Sequence, residues 1–159
     1  MDIRFAKPAD VPGILNLLRQ VGQVHHQGRP DLFRNGAQKY GASGILSLMN
    51  SPQTPIFVAV EERKVLGYCF CKMQITDHDP VMNNRVTLYI DDLCVEETCR
   101  GQHIGEQLYH QVEQYARQRR CHAITLNVWA FNENAKAFYE KMGLKPLKIG
   151  MEAILQDAD

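Results

Sequence analysis

The chain has 159 residues, enough to bury one good hydrophobic core without disulfide or metal staples, and it reads as a single domain over 1–159. Lys+Arg and Asp+Glu both number 18, so no net charge attracts the chain to nucleic acid or to an anionic membrane, and neither is expected as a partner. Any anion site must therefore be local. No apolar run approaches the roughly 18 residues that a spanning helix needs. Met1-Asp2-Ile3-Arg4, running into Pro8, shows no basic-then-apolar leader. The five cysteines (Cys69, Cys71, Cys94, Cys99 and Cys121) are odd in number and set mostly among apolar neighbours. They read as reduced core thiols of a cytoplasmic protein. Cys69-Phe70-Cys71 could be half a metal site, but no second pair at ligand spacing follows, so no metal is expected.

In chain order, Ile3 and Phe5 alternate with polar residues as a short strand. From Asp10 the pattern turns helical, with Val11, Ile14, Leu15, Leu18 and Val21 on one face and Pro8 and Pro12 near the first turn. Residues 22–36 are rich in Gly, Pro and Asn and read as a long loop with room for a short helical turn, and 37–49 suggest a second helix. "PIFVAVEERKVLGYCFCKMQI" predicts a hairpin around the charged turn Glu61-Glu62-Arg63-Lys64, and "RVTLYIDDLCV" (85–95) a further strand. A helix over 102–118 carries Ile104, Leu108, Val112, Tyr115 and Ala116 on one face. "AITLNV" predicts a strand, and 132–142 a helix with Asn132 as cap and Gly143 at its stop. "LKPLKIGMEAIL" closes the chain as one or two short strands. The fold class is α/β of the α+β type: a central mixed, mostly antiparallel sheet flanked by about four helices.

The chemistry concentrates in "CRGQHIGEQL" (99–108), a strand exit, a glycine-bracketed turn and the first turn of a helix. Unpaired N–H groups at the positive end of a helix can hold an anion. The turn is not a P-loop, since no Gly-Lys-Ser/Thr ends it, and it lacks the third glycine of the dinucleotide fingerprint.

"YIDDLCVEETCRGQHIGEQL" followed by "LNVWAFNENAKAFYEKMGL" resembles the GNAT superfamily of acetyl-CoA-dependent N-acetyltransferases. In that family Arg/Gln-x-x-Gly-x-Gly/Ala binds the pyrophosphate of coenzyme A. Here Arg100-Gly101-Gln102-His103-Ile104-Gly105 matches at Arg100 and Gly105, and departs at His103, where the first motif glycine belongs. A second motif, Asn-x-x-Ala-x-x-Phe/Leu-Tyr with Gly-Phe/Leu beyond, matches Asn132, Ala135, Phe138, Tyr139, Gly143 and Leu144. The specific resemblance covers roughly 85–145, and the order of elements matches over nearly the whole chain.

The resemblance implies acetyl transfer to a primary amine, on a small molecule, a peptide or a protein, by direct attack in a ternary complex. The alternative is a catalytically silent acyl-CoA-binding or regulatory domain of the same fold. It implies acetyl-CoA as cosubstrate, held by Leu93, Cys94 and Val95 along the pantetheine arm and by residues 100–105 at the phosphates, with Asn132 and Ala135 beside them. It also implies Tyr139 as the general acid at the departing sulfur, since a tyrosine of pKa about 10 stays protonated near neutrality.

Several residues stay open. Asp91 and Asp92 are candidates to attract the amine and take its proton. Adjacent strand residues face opposite sides, so only one of them enters a given cleft unless a bulge re-aims the other. His103, expected at ordinary helical dihedrals, keeps its N–H and points away from the ligand, adds charge to a phosphate when protonated, or marks a degenerate site. His25, His26, Arg29, Asp31 and Phe33 could line the acceptor side, with Trp129 and Phe131 as core or cleft wall. The terminal strands could pair across a homodimer.

Overall fold

The predicted hairpin is the centre of the molecule. In the computed structural model, which describes residues 1–156, its strands are β2 (Ile56–Glu61) and β3 (Lys64–Thr76). Glu62 and Arg63 form the two-residue turn, with φ of 49° and 67°. Two left-handed residues give a turn whose twist matches that of the strands. β1 (Asp2–Phe5) adds antiparallel to β2, and β4 (Arg85–Val95) adds antiparallel to β3. β5 (Ala123–Leu126) lies parallel to β4, so it needs a crossover, which α3 (Ile104–Gln118) supplies. The sheet order is β1-β2-β3-β4-β5.

Both faces of β2 and β3 are buried, and alternation sends their side chains to two clusters. On one face Val58, Tyr68, Phe70 and Cys94 pack under α1 (Val11–Gly28) and α2 (Ala42–Met49). On the other, Phe57, Cys69, Cys71, Leu88 and Ile90 pack under Ile104, Leu108 and Val112 of α3. α4 (Glu133–Lys141) joins this second face through Phe138, and Met142 and Leu144 follow just beyond it. Its end is closed by Gly143 at φ 98°, with Gly143 N–H on Glu140 O and Leu144 N–H on Tyr139 O, both 3.0 Å.

Two expectations need correction. Residues 22–28 are not loop: α1 runs on to Gly28 and carries His25 and His26 in its last turn. Gly28 is there because a Cβ would lie 2.2 Å from the Phe131 ring, a packing requirement that sequence composition reports as a breaker. Residues 145–155 form no strand. Their alternation is strand-like, but a strand needs a neighbour, and Leu147, Ile149 and Met151 stand 72, 77 and 88% exposed.

Candidate active site

The site begins with an irregularity in register. Phe70 pairs with Asp92 and Cys71 with Ile90, so Asp91 is the extra residue of a β-bulge in β4. Before the bulge Leu88 and Ile90 face α3; after it Leu93 and Val95 do, while Cys94 faces α1. The inserted residue turns both carboxylates toward the α1–α2 face. Asp91 accepts from Lys39 Nζ and from the Tyr40 hydroxyl, each at 2.7 Å. Asp92 accepts from the Tyr68 hydroxyl at 2.6 Å. Burial pushes Asp92 up to about 6, against the pull of the Tyr68 hydroxyl and Lys39. Tyr40, stacked on Phe70 at 5.2 Å, borders a cleft that Thr54, Tyr89 and Asp91 also line. Lys39, Tyr40 and Tyr68 were not singled out from sequence, because only the bulge brings Asp91 and Asp92 to them.

β4 and β5 part at the same place. Their pairing ends at Ile90 with Leu126, whereas β4 continues to Val95, still paired with β3 at Gly67. From Asp91 to Val95 the edge of β4 away from β3 has no strand partner among the described residues, which leaves its backbone groups to pair with an extended, amide-bearing ligand arm. Within it the Cys94 side chain is buried, with Sγ 3.8 Å from Leu17 O. Burial raises its thiol to about 12, which leaves no thiolate to act as a nucleophile.

That free edge leads into the glycine turn. After a 3-10 turn at Glu97–Cys99, Gly101 takes φ 88° and His103 φ 61°, and α3 starts at Ile104. His103 thus corrects the expectation of helical dihedrals: it is the N-cap residue, in the left-handed region that a glycine enters without strain. Its exposed imidazole pairs with Glu106 along the outside of α3. Arg100 and Gln102 are exposed at the turn. At Gly105 a Cβ would sit 3.3 Å from the Phe138 ring and 3.6 Å from Val95, so α4 presses on the start of α3. A Cβ here would meet Phe138 more tightly than an ordinary contact, so packing against α4 favours this glycine, where sequence suggested only a ligand.

α4 supplies the last group. Asn132 Oδ1 accepts from Ala135 N–H at 3.2 Å, which makes this motif pair a helix cap. Phe138 packs toward α3, and its neighbour Tyr139 turns toward the bulge. Burial, then the nearby Cys69 thiol and Asp92 carboxyl, push the Tyr139 hydroxyl well above the ordinary tyrosine range. No group accepts from it among the described residues. It is a protonated donor with its hydrogen bond unspent.

Beside this opening stands an aromatic wall. His25 lies 4.9 Å from Phe33, Phe33 meets Trp129 edge-on at 5.0 Å, and Trp129 stacks with Phe131 at 6.2 Å. Trp129 is 45% exposed, a wall residue and not core. Arg29 turns away from this wall to Asp31 and Glu152. Among the described residues no three His, Cys, Asp or Glu side chains gather as a metal site, and no helix is long and apolar enough to cross a membrane.

Comparison with known proteins agrees with this arrangement. The acetyltransferase (GNAT) family model matches residues 23–144. A probable N-acetyltransferase, camello, of Xenopus laevis is 31% identical over 109 residues, 69% of this chain; the chain spans about half of that protein's length (47%). The thialysine N-epsilon-acetyltransferase of Bos taurus is 25% identical over 91% of this chain and 84% of its own. The crystal structure of a mutant BH1408 protein from Bacillus halodurans superposes with a TM-score of 0.94 at 34% identity, over 98% of this chain and 100% of that one. The chain belongs to the GNAT family of acetyltransferases.

Proposed function

We propose that the protein transfers the acetyl group of acetyl-CoA to a primary amine by direct attack in a ternary complex. One observation carries this reading: the free edge of β4 runs from the bulged carboxylates straight into the left-handed turn at the start of α3. The pyrophosphate would meet the N–H groups of residues 101–105, and the pantetheine amides those of Leu93 to Val95. An N–H at the bulge would then polarise the thioester carbonyl. Arg100 and Gln102 flank the phosphates, while Asn132 and Ala135 order the start of α4 next to them.

Asp92, near pKa 6, takes the proton of the attacking amine; Asp91, already held by Lys39 and Tyr40, orients the acceptor side. Tyr139 donates to the departing sulfur. The acceptor is a small-molecule amine or the amine of a peptide or protein. The similarity to the thialysine enzyme favours an aliphatic primary amine at the end of a side chain. We place the protein in the cytoplasm as one domain, in keeping with its buried free thiols.

The test is release of free thiol from acetyl-CoA across a panel of amines that includes thialysine, with the acetylated product identified by mass. Saturable acetyl-CoA binding with no thiol release for any amine would instead favour the silent binding domain, which the departure at His103 keeps in view. Absence of acetyl-CoA binding would overturn both.

A further inference from the structure

We propose, on the basis of the acetyl transfer argued above, that the acceptor carries a carboxylate at the end remote from its amine and that Lys72 binds it. The cleft beside Tyr40 runs from Asp91 along the sheet, with Leu48 of α2 and Thr54 on one side and Lys72, Gln74 and Tyr89 on the sheet itself. It holds about 240 Å3, which suits a short aliphatic acceptor better than an oligosaccharide or a folded surface. Phe70 pairs with Asp92 and Lys72 with Tyr89, so Lys72 lies two residues, about 7 Å, along β3 from the bulge. An amine at the bulge therefore brings the far end of a short chain to Lys72.

The surroundings of Lys72 leave its charge without a structural use. β3 is the middle strand of five, so this lysine does not guard a sheet edge. Phe70 before it and Met73 after it are buried, whereas Lys72 is exposed to the cleft. Among the described residues Asp91 is the one carboxylate that lines the cleft, and Lys39 Nζ and the Tyr40 hydroxyl already engage it, each at 2.7 Å. Lys39 and Lys141 are the lysines that hold carboxylates there, and Lys72 is not among them. The cleft thus has a compensated carboxylate at the bulge and an uncompensated ammonium beyond it. A carboxylate on the acceptor would accept a charge-assisted hydrogen bond from Lys72. A second ammonium, as in a diamine, would meet like charge there, so the same residue selects one class and rejects the other.

Initial rates of thiol release from acetyl-CoA with ε-aminocaproate, hexylamine and cadaverine test this. These amines are of similar length and end in a carboxylate, a methyl and a second ammonium. The wild type should favour ε-aminocaproate over each of the others by about 10-fold or more in kcat/KM, through KM and not kcat. Lys72→Met should abolish that preference, and Lys72→Glu should put cadaverine ahead of ε-aminocaproate. Because Lys72 is exposed, both variants should keep the circular dichroism and melting temperature of the wild type, which separates lost recognition from lost fold. A wild type that shows no preference for ε-aminocaproate while acetylating another amine would overturn the role of Lys72 and leave acetyl transfer standing. So would a preference that survives Lys72→Glu in a folded protein. Thiol release with no amine at all would overturn acetyl transfer, and the role of Lys72 with it.

Discussion

Asp92→Asn should make the protein more stable and less active, and the pH dependence of the gain identifies its cause. Burial at the bulge raises the Asp92 carboxyl from the ordinary 3.8 to about 6. Each pH unit of that gap is worth about 1.4 kcal/mol. Because the folded value lies above the unfolded one, the contribution of Asp92 to stability is intact below pH 3.8. It declines as pH rises toward 6 and stays low above it. Ionised Asp92 thus costs the native state up to roughly 3 kcal/mol at pH 8. Asparagine has no charge to bury and keeps an oxygen for the Tyr68 hydroxyl. For a chain of this length the variant should melt roughly 4–10 °C higher at pH 8, and the difference should vanish near pH 4. Its turnover should fall about 100-fold, and the acid limb near pH 6 should disappear from its rate profile. Calorimetry at the two pH values and a thiol-release profile read both effects. An Asp92→Asn variant that melts no higher than wild type at pH 8, or that keeps the acid limb, would refute this account of the bulge.

Tyr139→Phe removes a hydroxyl donor that finds no acceptor among the described residues and should lower turnover by about 100-fold or more, with melting temperature and acetyl-CoA affinity unchanged by calorimetry. Cys94→Ala should keep turnover and show no burst of thiol release, because a thiol raised to about 12 forms no acetyl-enzyme. Gly105→Ala should cost about 1–2 kcal/mol by crowding Phe138 and should weaken acetyl-CoA binding. Adding Phe138→Leu should restore both in a paired melting and titration experiment. Affinity that stays low in the double variant would place Gly105 against the ligand.

The sequence was most informative where local chemistry decides the structure. Asn132 and Gly143 bracket α4 because a cap and a left-handed stop are properties of single residues. The hairpin and the α3 stripe were legible because burial imposes a period on their side chains. The bulge was not, because register is a relation between two strands, and nothing in "YIDDLCV" states that Phe70 and Cys71 will skip a partner. His103 misled for a related reason: the motif position reports a backbone conformation, and a histidine there conceals the positive φ that a glycine would have announced.

Adjacent carboxylates on a regular strand would face opposite sides, with little to choose between them. The bulge brings Asp91 and Asp92 to one face and still makes them unequal, because each meets a different element. Asp91 meets the connection between α1 and α2, where the Lys39 ammonium and the Tyr40 hydroxyl compensate its charge. Asp92 meets the buried Tyr68, which offers a hydroxyl and no cation, so burial dominates its titration. A carboxylate engaged by an ammonium and a hydroxyl is held in place as an anchor, and the Asp92 carboxyl near pKa 6 is suited to take a proton. The inserted residue therefore does more than re-aim a side chain. In the proposed reaction it makes two identical residues an orienting group and a proton acceptor, at the point where β4 and β5 part.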